Sequence, residues 1–532
     1  MRSQAVSAIQ LREWLHDGSE LAVLDVRDGG PYSRSHILVA SNMPLASIEI
    51  LANALVPNRK TRIVLCDENE LLASKAAELL IQNGFEDVHV LTGGIAAWQS
   101  SGFPLFSGNG IISKAFGECV EEHYGTPHIT PDELQKWKTE KRNFLHLDTR
   151  PIAEYKLVSI PGAVDCPGAE IVYRVPGLLN SDKTPIVVNC AGRTRSIIGV
   201  QSLRNAGVKN PVFALKNGTM GWHLAGLLTE SGSEQILGVP NGDGLREAQV
   251  AANAIAKHFD VQSISLTTLN EFKNDLSRTT YVFDVRQPDE FANGHLPRSL
   301  NVPGGQLVQA TDVYAAVRNA RIVLVDEHRV QSVMTAHWLK QMGWKDVFVL
   351  DVEKSNLTER GPASAIPLIS SIVQGIEVAE LAALVSNKSV VVVDVGESYW
   401  YRQGRIPRSF YAMRSQLGDA VSRFDKRQMI AVTDSEGRLA AFAAMDLIKM
   451  GFKNVRYVLG GRSAWRKAGY PSESIGDETD EFVLTDTDDM WYPPWARKSG
   501  VEEAMMQYLS WEVDLMKTVA HETYIKFKLG AQ

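Results

Sequence analysis

One cysteine in this chain of 532 residues stands where a thiol can be made into a nucleophile. Residues 186–196, IVVNCAGRTRS, run an apolar β-branched strand into Cys190. They then pass through Ala191, Gly192, Arg193, Thr194 and Arg195 to Ser196, where a helical pattern starts. A strand that delivers a side chain to the lip of a helix N-terminus sets it among inward-pointing N–H groups, at the positive end of the helix dipole. The thiolate is favoured there over the thiol. Ala191 and Gly192 leave the backbone amides free to curl around an anion, while Arg193 and Arg195 add fixed positive charge. The stretch reads as a cysteine nucleophile in an anion cradle, with Ser196 capping the helix or donating to sulfur.

Composition narrows what surrounds this site. The length implies three to five domains, and 44% apolar with 22% charged residues is ordinary for globular protein. A net charge of −7 argues against a nucleic acid or an anionic membrane as partner. No apolar run approaches the 18 or so residues of a membrane span, and MRSQAVSAIQ lacks a secretory core, so a cytoplasmic location is expected. The four cysteines, Cys66, Cys119, Cys166 and Cys190, form no CxxC pair. Neither a disulfide framework nor a metal site is expected, and the loop calls for no cofactor.

The elements that must position Cys190 are repeated. Four apolar strands end in Asp25, Asp148, Asp284 and Asp394; eleven residues later stand His36, Ser159, His295 and Arg405. Forty-two residues after the first three aspartates come Asp67, Cys190 and Asp326, and forty after the fourth comes Asp434. Seventeen residues further, Gly84, Gly207, Gly343 and Gly451 each end a helical pattern and lead into another strand. Strands alternating with helices at this spacing predict parallel α/β units. GGIAAW, NGTMGW and GGRSAW close three copies at Trp98, Trp222 and Trp465; the third has DVEKSNL instead, so its last edge is expected to be remodelled.

The boundaries that follow are 1–107, 120–229, 262–356 and 373–474 for the four copies, with 475–532 as a C-terminal extension. Residues 108–127 read as a linker. LREAQVAANAIAKHF, within 230–262, reads as a helix packed on neighbouring domains. From about Val501 a long helix carries Ala504, Tyr508, Trp511, Leu515 and Val519 on one face. That stripe is expected to dock on the fourth copy or on a second chain, so a homodimer is among the assemblies it allows.

D-x-R at the strand ends, GHLPRSLNVP in the third copy, CAGRTRS at Cys190 to Ser196 and the G-G-x-x-A-W closures together resemble the rhodanese family of sulfurtransferases. The resemblance covers nearly the whole chain as four tandem rhodanese-like domains, each a small parallel sheet flanked by helices. It implies that Cys190 takes a sulfane sulfur from thiosulfate or a related small-molecule donor, becomes a persulfide, and passes the sulfur to cyanide or another thiophilic acceptor. Ala191, Gly192, Arg193, Thr194, Arg195 and Ser196 would form the substrate loop, with the two arginines steering a dianion and stabilising departing sulfite.

The register then separates the copies. Cys66 also ends a strand, but IVLCDE aligns with IVLVDE of the third copy, which puts Asp67 at the nucleophile position and turns Cys66 away from the cradle. Asp326 and Asp434 stand at the same position, and a carboxylate forms no persulfide; these three copies are expected to be inactive. Arg150 of LDTR stands at the pocket's rim or in a buried ion pair, the ion pair being favoured. Two rivals remain. A phosphatase or arsenate reductase of the cell-cycle type resembles HCx5R, and here only four residues separate Cys190 from Arg195. A binding or scaffolding protein, whose domains mainly dock partners, fits the three expected inactive copies.

Overall fold

The computed structural model describes residues 3–179, 181–362, 367, 372–474, 481–497 and 499–530. Four parallel sheets, each flanked by helices, follow one another along the chain, and a helical extension ends it. Around the cysteine the order is α1 (Ile111–Tyr124), β1 (His128–Ile129), α2 (Pro131–Thr139), β2 (Leu145–Asp148), α3 (Ile152–Leu157) and β3 (Val164–Asp165). There follow β4 (Ile186–Asn189), α4 (Thr194–Asn205), β5 (Val212–Leu215), α5 (Gly218–Leu224) and α6 (Gly242–His258). The strands lie side by side as β1-β5-β4-β2-β3, all parallel, with Leu147 opposite Val188 and Ala214 opposite Val188 on the other side. Leu147, Val187 and Val188 are completely buried, as β-branched and aliphatic strands covered by helices on both faces must be.

Local chemistry fixes the element ends. Thr130 caps α2 through the Glu133 amide while the Glu133 carboxylate accepts from the Thr130 N–H, and Pro131 occupies the first turn, where its missing donor costs nothing. The periodic residues eleven past each aspartate have one shared role. His36, Ser159, His295 and Arg405 each exchange a backbone bridge with the end of their own copy, at Phe106, Glu230, Glu359 and Glu473.

The segment 108–127 joins the first two copies as an ordered helix and not as a loose linker. It forms α1, bounded by Gly110 and Gly125 in left-handed conformation, and Phe116 and Val120 are fully buried in a core shared by the first three copies. Gly117 lies so close to Thr194 that a Cβ would sit 2.7 Å from its methyl, so α1 runs directly against the start of α4. The helix expected within 230–262 is α6, packed between the second and third copies, with Ala248, Ala252 and Ile255 buried. The third copy supplies α7 (Gln331–Gln341), whose Trp338 donates to Ser202 Oγ of α4 at 2.9 Å. Its strand 317–318 pairs antiparallel with Leu21 and Ala22 of the first copy, a cross-copy join with no signature in the repeat. After its last strand the third copy has only a short turn of helix at Lys354–Asn356, the remodelled edge expected from the missing closure.

The extension α8 (Val501–Val519) packs differently from the expectation. It lies along α1, not on the fourth copy: Leu515 and Val519 enter the core of the first copy, and Met505 and Leu509 cover Ala191 and Met220. The acidic stretch before it ties the fourth copy to the first, through Asp488 paired with Arg34 and Asp489 accepting from Ser398 N–H at 2.8 Å. No described helix is long and apolar enough to cross a membrane.

Candidate active site

Asp148 ends β2 fully buried and is gripped by Arg150, whose Nε and Nη2 donate to its two carboxylate oxygens at 2.9 and 2.7 Å. Nη2 donates again to the Val158 carbonyl. Arg150 is therefore the buried ion pair of the two alternatives and not a group at the pocket's rim. Arg27 and Arg286 repeat the arrangement on Asp25 and Asp284. The fourth copy, with Gly396 in place of the arginine, brings Arg462 from its closing turn to 3.2 Å from Asp394.

Cys190 follows β4 and is 2% exposed. Its thiol donates to Ser196 Oγ at 3.6 Å, and Ser196 Oγ donates to the Arg193 carbonyl at 2.7 Å. The helix begins at Thr194, two residues before the sequence pattern indicates, so Ser196 sits in its first turn and faces sulfur. The closing turn holds the loop from behind. Thr219 and Met220 N–H groups donate to the Cys190 and Ala191 carbonyls at 2.8 and 2.9 Å, and Gly218, at φ +56°, comes so near that a Cβ would lie 2.3 Å from the Cys190 oxygen. This contact is the physical reason for the glycine in the G-x-x-x-W closure.

The other copies show what the loop is shaped to hold. Asp67 accepts from the Glu70 and Leu72 amides at 2.6 and 2.7 Å. Asp326 accepts from the Val330 and Gln331 amides at 2.8 and 3.0 Å and from Ser332 Oγ at 2.6 Å. Asp434 accepts from the Glu436 and Leu439 amides at 2.9 and 2.7 Å. Each carboxyl group takes up the amides of its own loop, so these cradles are already occupied. Cys66 faces elsewhere, with its thiol 3.6 Å from the Leu24 carbonyl in the core of the first copy.

The charges around Cys190 differ from the sequence expectation in two ways. Burial pushes the Cys190 thiol above its usual range, against the pull of the Arg195 guanidinium and the Ser196 hydrogen bonds. Desolvation outweighs the loop's electrostatics, so the resting side chain is a thiol and the thiolate expected from the helix terminus is the minor form. The two arginines are also not free. Arg195 donates to both oxygens of Glu154 at 2.8 Å, and Arg193 donates to both oxygens of Glu118 at 2.8 Å and also to Glu121. Glu118 and Glu121 stand on α1, which was read as a linker.

A fourth wall comes from α8. Glu512, 2% exposed, places Oε2 where a Cβ on Gly192 would be 2.7 Å away, and its Oε1 accepts from the Tyr508 hydroxyl at 3.1 Å. Lys114 of α1 is buried nearby, under the ring of Trp511. The stripe of the C-terminal helix was legible; that Glu512 belongs to its buried face was missed, although it lies four residues after Tyr508. No group of His, Cys, Asp and Glu among the described residues is arranged to hold a metal ion.

A family model described as the rhodanese-like domain matches residues 7–101, 130–225, 268–352 and 377–468. The chain belongs to the rhodanese-like family. A crystal structure of thiosulfate sulfurtransferase from Pseudomonas aeruginosa superposes with a TM-score of 0.90 at 39% identity, covering 99% of this chain and 100% of that one. Among curated proteins, the centrosomal protein of 41 kDa from Homo sapiens is 34% identical over 190 residues, 34% of this chain and 46% of that protein. A probable adenylyltransferase/sulfurtransferase, MoeZ, from Mycobacterium tuberculosis is 31% identical over 98 residues, 18% of this chain and 25% of that protein. The rhodanese-like chain thus spans less than half the length of these two curated relatives.

Proposed function

We propose that this rhodanese-like protein is a sulfurtransferase that carries sulfane sulfur on Cys190. The observation that supports it best is the comparison of the four loops. Three fill their cradle with an aspartate, and only the second presents a sulfur atom to the same kind of loop, with Ser196 3.6 Å away.

In the first step the Cys190 thiolate attacks the outer sulfur of thiosulfate or a related donor; the new S–S bond forms as the bond to the sulfonate sulfur breaks, and sulfite leaves with the electron pair. The enzyme then holds a persulfide whose terminal sulfur is stabilised by the loop amides and the Ser196 hydroxyl, which can turn to donate once the thiol proton has gone. In the second step cyanide, or another thiophilic acceptor, attacks that terminal sulfur and Cys190 departs as thiolate. Arg195 favours the thiolate by its charge. Arg193, committed to Glu118 and Glu121, acts mainly by tying the loop to α1. On this reading the first, third and fourth copies are inactive in sulfur transfer and serve as packing around the second. Thiosulfate:cyanide transfer should be abolished by Cys190→Ala and retained in Cys66→Ala. Full activity in Cys190→Ala with loss in Cys66→Ala would overturn the assignment.

A further inference from the structure

The C-terminal extension does more than bury an apolar stripe. Two of its side chains, Tyr508 and Glu512, stand over the loop at Gly192, and the free oxygen of Glu512 is the polar atom they aim at it. That oxygen is buried and has no hydrogen-bond partner among the described residues. A buried polar atom without a partner is costly, and one that borders a reactive cysteine is explained by the group it meets when the site is filled.

We propose that Glu512 is a specificity-determining residue of the Cys190 pocket, which by its charge decides how negatively charged a sulfur donor can reach the cysteine. The proposal rests on the sulfur-transfer reading and adds the class of donor to it. The groups that face Glu512 come from three elements. From α1 these are Lys114 and Glu118, from the cysteine loop Arg193 and the Cys190 sulfur, and from its own helix Tyr508. Beyond them Arg195 faces Glu154, and Arg193 also meets Glu121. Four carboxyl groups thus surround three cationic side chains, and Glu512 is the one carboxyl of the four not paired with an arginine.

An anionic donor must lose water to enter a space where both guanidiniums are already neutralised. An ionised Glu512 over Gly192 adds repulsion that scales with the donor's charge. A neutral Glu512 removes that repulsion and offers its proton as a hydrogen-bond donor to the anion. Burial raises the Glu512 carboxyl to about 7, so both forms are populated near neutrality. The pocket then admits a dianion such as thiosulfate freely only while Glu512 holds its proton, and favours monoanionic or neutral donors once it does not.

The test compares full-length wild-type protein with Glu512→Gln, which fixes the neutral form with nearly the same shape. Cys190 loading is followed by mass spectrometry from pH 6 to 9, with thiosulfate as the dianion and methanethiosulfonate as a monoanion. The titration of Cys190 itself affects both proteins, so the quantity to read is the ratio of loading kcat/KM, variant over wild type. With thiosulfate the ratio should stay near one at pH 6 and grow toward about tenfold per pH unit above 7, the limit for a single blocking ionisation. With methanethiosulfonate it should grow less. A ratio independent of pH, as a purely structural role for Glu512 gives, or equal growth for both donors overturns the inference while leaving sulfur transfer intact. If neither donor places sulfur on Cys190 at any pH in either protein, the sulfur-transfer reading fails and this inference with it. Tyr508→Phe provides a second line, should Glu512→Gln not fold. Removing the hydroxyl that donates to the carboxylate raises the Glu512 titration, so the bend in the wild-type thiosulfate profile should move to higher pH; a bend that stays in place counts against the proposal.

Discussion

Arg195 and Glu154 should push the Cys190 thiol in opposite directions, and by amounts large enough to measure. Arg195 is the main charge that opposes burial at Cys190, and it is held by two hydrogen bonds of 2.8 Å to Glu154 in a setting where the two side chains are 13% and 31% exposed. Unit charges about 4 Å apart at an effective dielectric near 20 interact by about 4 kcal/mol. The sulfur lies farther off, so about a third of that, roughly 1.4 kcal/mol or one pKa unit, is the contribution expected of Arg195 alone at Cys190. Arg195→Met should therefore move the Cys190 titration up by about one unit and slow loading about tenfold at neutral pH. Glu154→Gln removes the opposing charge and should move the titration down by a similar amount. The double variant should return close to wild type, because the pair acts as one unit. The thiolate's ultraviolet absorbance, measured against pH as the difference between each protein and its Cys190→Ala counterpart, reports the titration without relying on turnover. A Cys190 titration that rises in Glu154→Gln, or does not move in Arg195→Met, would refute the electrostatic account of the loop.

Other expectations follow from the same contacts. Because folding raises the Glu512 carboxyl from its usual 4.5 to about 7, the folded state binds that proton more tightly than the unfolded chain. The contribution to stability is therefore fully present below pH 4.5 and falls by about 3 kcal/mol as the pH rises to 7. Amide protection across 501–519, taken relative to the unfolded chain at each pH, should be lower at pH 8 than at pH 6 in wild type and show no such Glu512-linked loss in Glu512→Gln, while equal protection in wild type contradicts the burial argument. Asp326→Ala removes two amide bonds and one hydroxyl bond from a carboxylate 2% exposed. It should destabilise the third copy by about 2–5 kcal/mol, read as earlier melting in calorimetry, with the relief of a buried charge setting the lower end. Gly218→Ala adds a Cβ against the Cys190 carbonyl at a φ of +56°. It should displace the loop and lower sulfur transfer by about tenfold or more, whereas unchanged transfer would mean the closing turn does not position Cys190.

The fold was legible because the repeat carries its own punctuation. The strand-ending aspartates, the bridge position eleven residues later and the glycines that close each helix recur in register, and each has a local cause in the structure. Asp67, Asp326 and Asp434 were placed at the nucleophile position by counting alone, and the family match follows the same four units. What was not legible depends on contacts between segments far apart in sequence. Glu118 and Glu121 look like surface residues of a connecting helix until α1 is laid against α4, and Glu512 looks like the polar face of an amphipathic helix until α8 is laid across the cysteine loop. The helix-terminus argument for a thiolate at Cys190 named real groups but left out burial, which no local pattern reports and which here outweighs them.

The central claim is that sulfur is carried on Cys190 and nowhere else in this chain. Full-length protein treated with thiosulfate, digested without reductant and analysed by mass spectrometry tests it directly. The account requires a gain of about 32 Da on the peptide containing Cys190, lost on adding cyanide and absent from Cys190→Ala. The same gain on the peptide containing Cys66, Cys119 or Cys166, or its persistence in Cys190→Ala, would contradict it.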